Sequence, residues 1–253
     1  ADIEGTGVDL TAQNIITEAH MASKALEGNP RIDVPLSLGV LSAETPDFNP
    51  DAVSRVGAVN IAQIMKFNAD RLYNIWKDNP AFKSRFPHIN SPAAFLSELK
   101  GNASDHGWRL AMWSIKAHTT FPHALENPYE ADSLEATVWD YNHARWYVHG
   151  VLKSMNELLA GRAPWTANPK KNDPHNTPLW NAVVEQLKDY MANEFNVPIA
   201  WTDLAVPDDT VAPNNPLAYA KSAVGQTVFP NVSKTQGFPS KNIPLAFPGS
   251  GLL

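Results

Sequence analysis

Apolar residues recur at helical spacing through most of residues 11–195. Ile15, Ala19, Ala22 and Leu26 form a stripe behind Thr11, which can cap a helix N-terminus, and Gly28 follows where a helix end favours glycine. Residues 29–48 break that rhythm. Pro30, Pro35 and Pro46 separate short β-branched runs there, and the pattern predicts a long loop. Asn49-Pro50 has the form of a cap followed by a first-turn proline. It predicts a helix reaching about Trp76 and carrying Val53, Val56, Ile64, Phe67, Leu72 and Ile75. Ser91-Pro92 opens a short predicted helix closed by Gly101, and Ser104 or Asp105 opens another with Trp108, Ala111, Met112 and Ile115. The longest predicted helix spans 132–160, capped by Asp132 or Ser133 with Glu135 reaching back as in a capping box. Thr177-Pro178 begins the last, with Trp180, Val183, Val184, Leu187, Met191 and Phe195 on one face.

Beyond residue 196, Pro198, Pro207, Pro213, Pro216, Pro230, Pro239, Pro244 and Pro248 interrupt everything except a short helical candidate at 217–223. Trp201, Val228, Phe229, Phe238, Ile243 and Phe247 lie in this stretch and need a surface to bury against. The reading is a mostly α protein: a single irregular helical domain of about six helices over 1–195. A Pro-rich extended C-terminal strap, 196–253, wraps that body rather than forming a domain of its own.

Composition narrows the chemistry. Of 253 residues, 43% are hydrophobic and eight are Trp, which excludes wholesale disorder. No apolar run is long enough for a membrane-spanning helix. Lys and Arg number 20 against 26 Asp and Glu, a net charge of −6 that argues against a nucleic-acid footprint. The absence of Cys excludes disulfides, thiolate nucleophiles, thiolate-ligated haem, covalent c-type haem and Cys-ligated zinc. A chain that begins with Ala1 and avoids Cys fits a processed secreted or periplasmic protein.

The predicted 132–160 helix has two faces at ~100° per residue. Ala144, Val148, Val151, Leu152, Met155, Leu158 and Leu159 make a core stripe, while Trp139, Asn142, His143, Trp146 and His149 make an aromatic and imidazole flank. Four of the eight histidines, His118, His123, His143 and His149, lie between residues 118 and 149. Imidazole transfers protons near neutral pH and is a common metal ligand. The spacings do not put two of these rings on one helical face, so any metal site is assembled from separate elements. The chemistry this set can do is acid–base or metal-assisted hydrolysis, or lytic elimination, on a small or carbohydrate-like ligand in a pocket beside this helix. In that reading His143 or His149 is the general acid–base, Tyr147 or Tyr129 the second proton carrier and Asn142 the oxyanion or carboxylate binder. Trp139 and Trp146 wall the substrate, Tyr129 and Arg145 help bind it, and His118 and His123 hold a divalent metal or partner the catalytic His. Arg145 is expected toward the core side of its helix, and Arg71, among apolar neighbours, to anchor or pair with a carboxylate.

Asn142-His143 followed by Trp146 is similar to the Asn-His-x-x-Trp stretch of some helical polysaccharide lyases, in which Asn neutralises a carboxylate and His or Tyr moves protons. The similarity covers those residues alone, the chain is short for that toroidal fold, and it identifies no family. Two further readings fit the same residues. One is a non-catalytic helical binder of non-covalent haem, a metal or another ligand; the other is a structural or interaction protein with core histidines.

Overall fold

The computed structural model describes residues 9–101, 105–121, 126–130, 133–164 and 177–195. Nearly all of the regular structure there is helical, as the periodicity predicts. In chain order the helices are α1 (Ala12–Ala25), α2 (Pro30–Glu44), α3 (Ala69–Trp76), α4 (Pro80–Arg85) and α5 (Pro92–Leu99). They continue with α6 (Asp105–Thr120), α7 (Leu134–Trp139), α8 (Arg145–Leu159) and α9 (Thr177–Phe195), and a 3-10 turn at Lys66–Asn68 precedes α3. The Pro-rich stretch 196–253 and its expected wrapping lie outside the described residues.

Several predicted ends are made as the local chemistry requires. Thr11 accepts from the Asn14 N–H at 3.2 Å, Ser91 from Ala94 at 3.1 Å and Ser133 from Ala136 at 3.0 Å. Each satisfies an amide that has no partner within its own helix.

Three expectations fail. Residues 29–48 are not a long loop, because Asn29 caps α2 by accepting from the Arg31 N–H at 3.2 Å and Pro30 occupies the first turn. Pro35 is accommodated inside that helix, and almost every side chain from Pro30 to Ala43 is buried. The apolar packing outweighs the missing amide. Conversely, Asn49-Pro50 opens no helix. Residues 53–64 form turns closed by two isolated antiparallel bridges, Val53 with Val59 and Val59 with Ile64, and regular helix begins only at Ala69. The third is the long helix: 132–160 is two helices, α7 and α8, parted by residues 140–144. The count therefore exceeds the predicted six.

α2 and α8 form the most extensive interface of the fold. Gly39 permits it: a Cβ there would stand 2.9 Å from the Val151 carbonyl oxygen and 3.3 Å from its side chain. A backbone atom cannot swing aside as a side-chain tip can. Gly39→Ala is therefore expected to destabilise by about 1–3 kcal/mol despite alanine's better helix propensity, a loss that urea denaturation measures directly. No change, or a gain, would mean the two helices have room to separate.

A second structural centre joins α1, α4 and α6. The Glu18 carboxylate, 1% exposed, receives Arg85, the Arg109 Nη1–H at 2.8 Å and the Trp113 indole N–H at 2.9 Å. Lys116 and Asp33 pair at 2.7 Å beside Gly28, and the Ser23 hydroxyl donates to the same carboxylate at 2.5 Å. Aromatic packing of Trp76, Phe82, Phe86 and Trp113, with centroids 4.9–5.9 Å apart, fills the space between α3, α4 and α6.

Candidate functional site

The α2–α8 interface places two side chains in contact that are far apart in sequence. Glu44 is the last residue of α2, and Tyr147 lies in the first turn of α8 because the chain breaks just before it. The Tyr147 hydroxyl donates to Glu44 Oε1 at 2.6 Å. The turn beyond Glu44 is pinned: the Thr45 hydroxyl donates to the Ile61 carbonyl, and the Trp180 indole N–H to the Pro46 carbonyl at 2.7 Å. The half-buried carboxyl group is therefore carried on a rigid support.

Tyr141, in the break between α7 and α8, forms the next layer. Its ring is parallel to that of Tyr147 (2° between planes, 6.3 Å between centroids), and its hydroxyl donates to the Ala62 carbonyl at 2.5 Å. Burial, and then the Glu44 charge, push both phenols well above their ordinary range. They stay protonated at neutral pH and act as hydrogen-bond donors rather than bases.

The 53–64 turns make the facing wall. Asn60 and Gln63 adopt left-handed conformations, with φ of 67° and 49°. Asn60 offsets that strain with its amide: Nδ2–H donates to the Leu99 carbonyl at 2.9 Å and Oδ1 accepts from the Ile61 N–H at 2.7 Å. Gln63 Nε2–H donates to the Asn60 carbonyl at 2.9 Å. Val53, Val56 and Phe67 are exposed apolar side chains along this stretch, and Trp146, 48% exposed, is edge-on to Tyr147 at 5.9 Å.

The residues singled out in the sequence fall into several groups. Tyr147 and Trp146 belong to the Glu44 cluster. Trp139, His143 and Tyr129 form another: the Trp139 and His143 rings stack at 5.6 Å, Tyr129 meets Trp139 edge-on at 5.9 Å, and the Trp139 indole N–H donates to the Glu126 carbonyl at 2.9 Å. The Tyr129 hydroxyl is pushed up to about 12 by burial first, with Glu135 adding to the rise and Arg145 opposing it. Trp139 and Trp146 do not lie in register, because the 140–144 break rotates one against the other. Asn142 sits half-buried in that break. Arg145 is exposed, not on the core side, and His149 is buried on α8. His118 is buried against Arg71, whose Nη2–H donates to its Nδ1 at 2.8 Å. A guanidinium at that distance opposes a metal cation on the same ring. His123 lies outside the described residues. Among the described residues no group of three His, Cys, Asp or Glu is placed to hold a metal ion.

Glu135 does not close a capping box. It lies at the second helical position after Ser133, one short of the place that reaches back, and among the described residues its buried oxygens find no partner beyond its own backbone. Burial holds its carboxyl well above the usual carboxylate range, and the Glu130 charge adds to this. A group whose folded-state value is raised favours folding most below the ordinary carboxylate range and loses that contribution as pH rises toward the folded value. Glu135→Gln is thus expected to raise the melting temperature at pH 7, the gain shrinking as pH falls toward the ordinary carboxylate range. A gain independent of pH, or none, would contradict the assignment.

Glu44 and Tyr141 escape the sequence reading. The available signal is Asn29-Pro30, the same cap-and-proline pair that was read as a helix start at Asn49-Pro50. Taken at 29–30, it makes the apolar run 30–43 a buried helix ending on an acid. An open cleft of about 190 Å³ between α1 and α9, lined by Gln13, Thr17, Asp189, Tyr190 and Glu194 among others, adjoins none of the predicted residues. No family model matches the sequence and no curated protein matches it, so the functional reading stands on this geometry.

Proposed function

We propose that the protein is an extracytoplasmic enzyme that cleaves glycosidic bonds by acid–base chemistry, with Glu44 as the proton-transferring residue. The observation that carries this is the 2.6 Å hydrogen bond from Tyr147 to a half-buried carboxyl group at a helix terminus. A carboxyl group held by one phenol donor beside an exposed aromatic ring is placed to exchange a proton with a substrate oxygen. The exposed ring of Trp146 offers a flat surface for a sugar ring, and Val53 and Val56 add exposed apolar area on the 53–64 turns.

In the reaction, the Glu44 carboxyl donates its proton to the glycosidic oxygen as the C–O bond breaks, and positive charge develops at the anomeric carbon. The resulting carboxylate then accepts a proton from the incoming nucleophile. If that nucleophile is water, the outcome is hydrolysis; if it is a hydroxyl of the same sugar, the outcome is intramolecular lysis. Tyr147 fixes which Glu44 oxygen faces the substrate. Metal-assisted chemistry through His118 is disfavoured by Arg71.

The test is incubation of the full chain with neutral, amino-sugar and uronate glycans, with products read by mass spectrometry. Hydrolytic products are one water heavier than those of lysis, so the same experiment distinguishes the two routes. Cleavage that Glu44→Gln removes supports the proposal. Cleavage of none of the three glycan classes, or full activity in Glu44→Gln, overturns it.

A further inference from the structure

Packed against Tyr141 is a set of charged and polar side chains that the cleavage chemistry does not use. Arg71 of α3 directs Nη2 at His118 Nδ1 (2.8 Å) and donates from Nη1 to the Phe121 carbonyl (3.0 Å), just past the end of α6. Arginine has only donors, so the ring nitrogen facing it accepts, and one edge of the imidazole is fixed. That ring packs at a tilt against Tyr141, at 5.0 Å between centroids and 55° between planes. Asp140, buried and adjacent to Tyr141 in sequence, favours the Arg71 charge that burial opposes.

Resting on the role of Glu44 argued above, we propose that Arg71 and His118 are positioning residues that hold Tyr141 in place. Tyr141 in turn aligns the Tyr147–Glu44 pair with the 59–64 wall. Tyr141 is the joint of this chain. Its hydroxyl anchors the wall through the Ala62 carbonyl, and its ring lies parallel to that of Tyr147, whose own hydroxyl holds Glu44. A tilt of Tyr141 therefore moves both sides of the site at once. The imidazole blocks that tilt, and Arg71 of α3, tied to the Phe121 carbonyl just past α6, holds the imidazole. Neither residue touches the reacting atoms, so their loss should appear in turnover rather than in substrate affinity.

The experiment is a kinetic double-mutant cycle on the full chain, supported by hydrogen exchange. His118→Leu and Tyr141→Phe are each expected to lower kcat by about tenfold to a hundredfold with KM within about twofold, the scale of a misplacement near 1 Å. The double variant should be no worse than the worse single one, because both changes act through the same step, the placement of Tyr141. His118→Asn, which returns an acceptor near the position of Nδ1, should recover part of the loss. Amides of residues 59–64 should exchange faster in His118→Leu without substrate present. If Arg71→Ala fails to fold, the His118 variants carry the test unaided. Multiplicative losses in the double variant, or unchanged kcat and unchanged exchange in His118→Leu, overturn the proposal. Glu44→Gln run in parallel separates the two ideas: retained activity there defeats the Glu44 reading, whereas an inactive Glu44→Gln beside a fully active His118→Leu defeats only this one.

Discussion

Glu18→Ala is expected to destabilise the protein by about 3–5 kcal/mol, a large share of the roughly 5–15 kcal/mol that holds most domains folded. The reason is what remains behind. Glu18 is 1% exposed and gathers Arg85 from α4 with Arg109 and Trp113 from α6. Deleting it leaves the Arg109 guanidinium, whose side chain is only 10% exposed, and a buried indole N–H without their acceptor. Asp9 at 3.5 Å and the Trp108 ring at 4.5 Å compensate Arg109 only in part. Arg85→Ala should cost less, because that side chain is 29% exposed and water can replace part of what it loses. Chemical denaturation of both variants checks the ordering. A Glu18→Ala loss below about 1 kcal/mol would show that the cluster relaxes at little cost.

Glu44→Gln carries the other large effect, and it falls on activity. The substitution keeps the shape of the side chain and an oxygen for the Tyr147 hydroxyl to meet, but removes the transferable proton. Turnover is expected to fall about a thousandfold, within the range typical of a general acid–base group. The melting temperature should stay within about two degrees, since the residue is half-buried rather than deep in the core. Tyr147→Phe should lower turnover by a smaller factor, about tenfold, because it loses one hydrogen bond to the carboxyl group and leaves the proton donor intact. Equal losses in the two variants would place the chemistry on the phenol. Initial rates on the most readily cleaved glycan, with thermal melts beside them, decide between the two.

The contrast between these residues shows what the chain discloses by itself. Helices marked by a cap and an apolar stripe, α1, α5, α6 and α9, are legible because both signals are local. The same local rule misassigns Asn29-Pro30 and Asn49-Pro50, since only packing reveals that residues 30–43 have a whole helix surface to bury whereas Val53 and Val56 stay exposed. The 140–144 break is invisible for a similar reason. Asp140, Asn142 and His143 fit the polar flank of a continuous helix as readily as they fit a turn. Tyr147 and Trp146 were identified from residue type, but their partner Glu44 lies about a hundred positions earlier, and no periodicity links the two. Glu18 is equally silent in sequence, being one acid among apolar neighbours whose bonds reach 67 to 95 residues away.

The Glu44 carboxyl group and the Tyr147 phenol stand on α2 and α8, helices so thoroughly packed that few substitutions in them will be neutral. The opposite wall is built of turns, with valines facing solvent and backbone bonds made largely within itself. On the proposed role of Glu44, substrate preference is therefore open to drift or redesign there, by exchanging Val53, Val56 or the residues between them, while the Glu44–Tyr147 pair and the melting behaviour of the protein stay as they are.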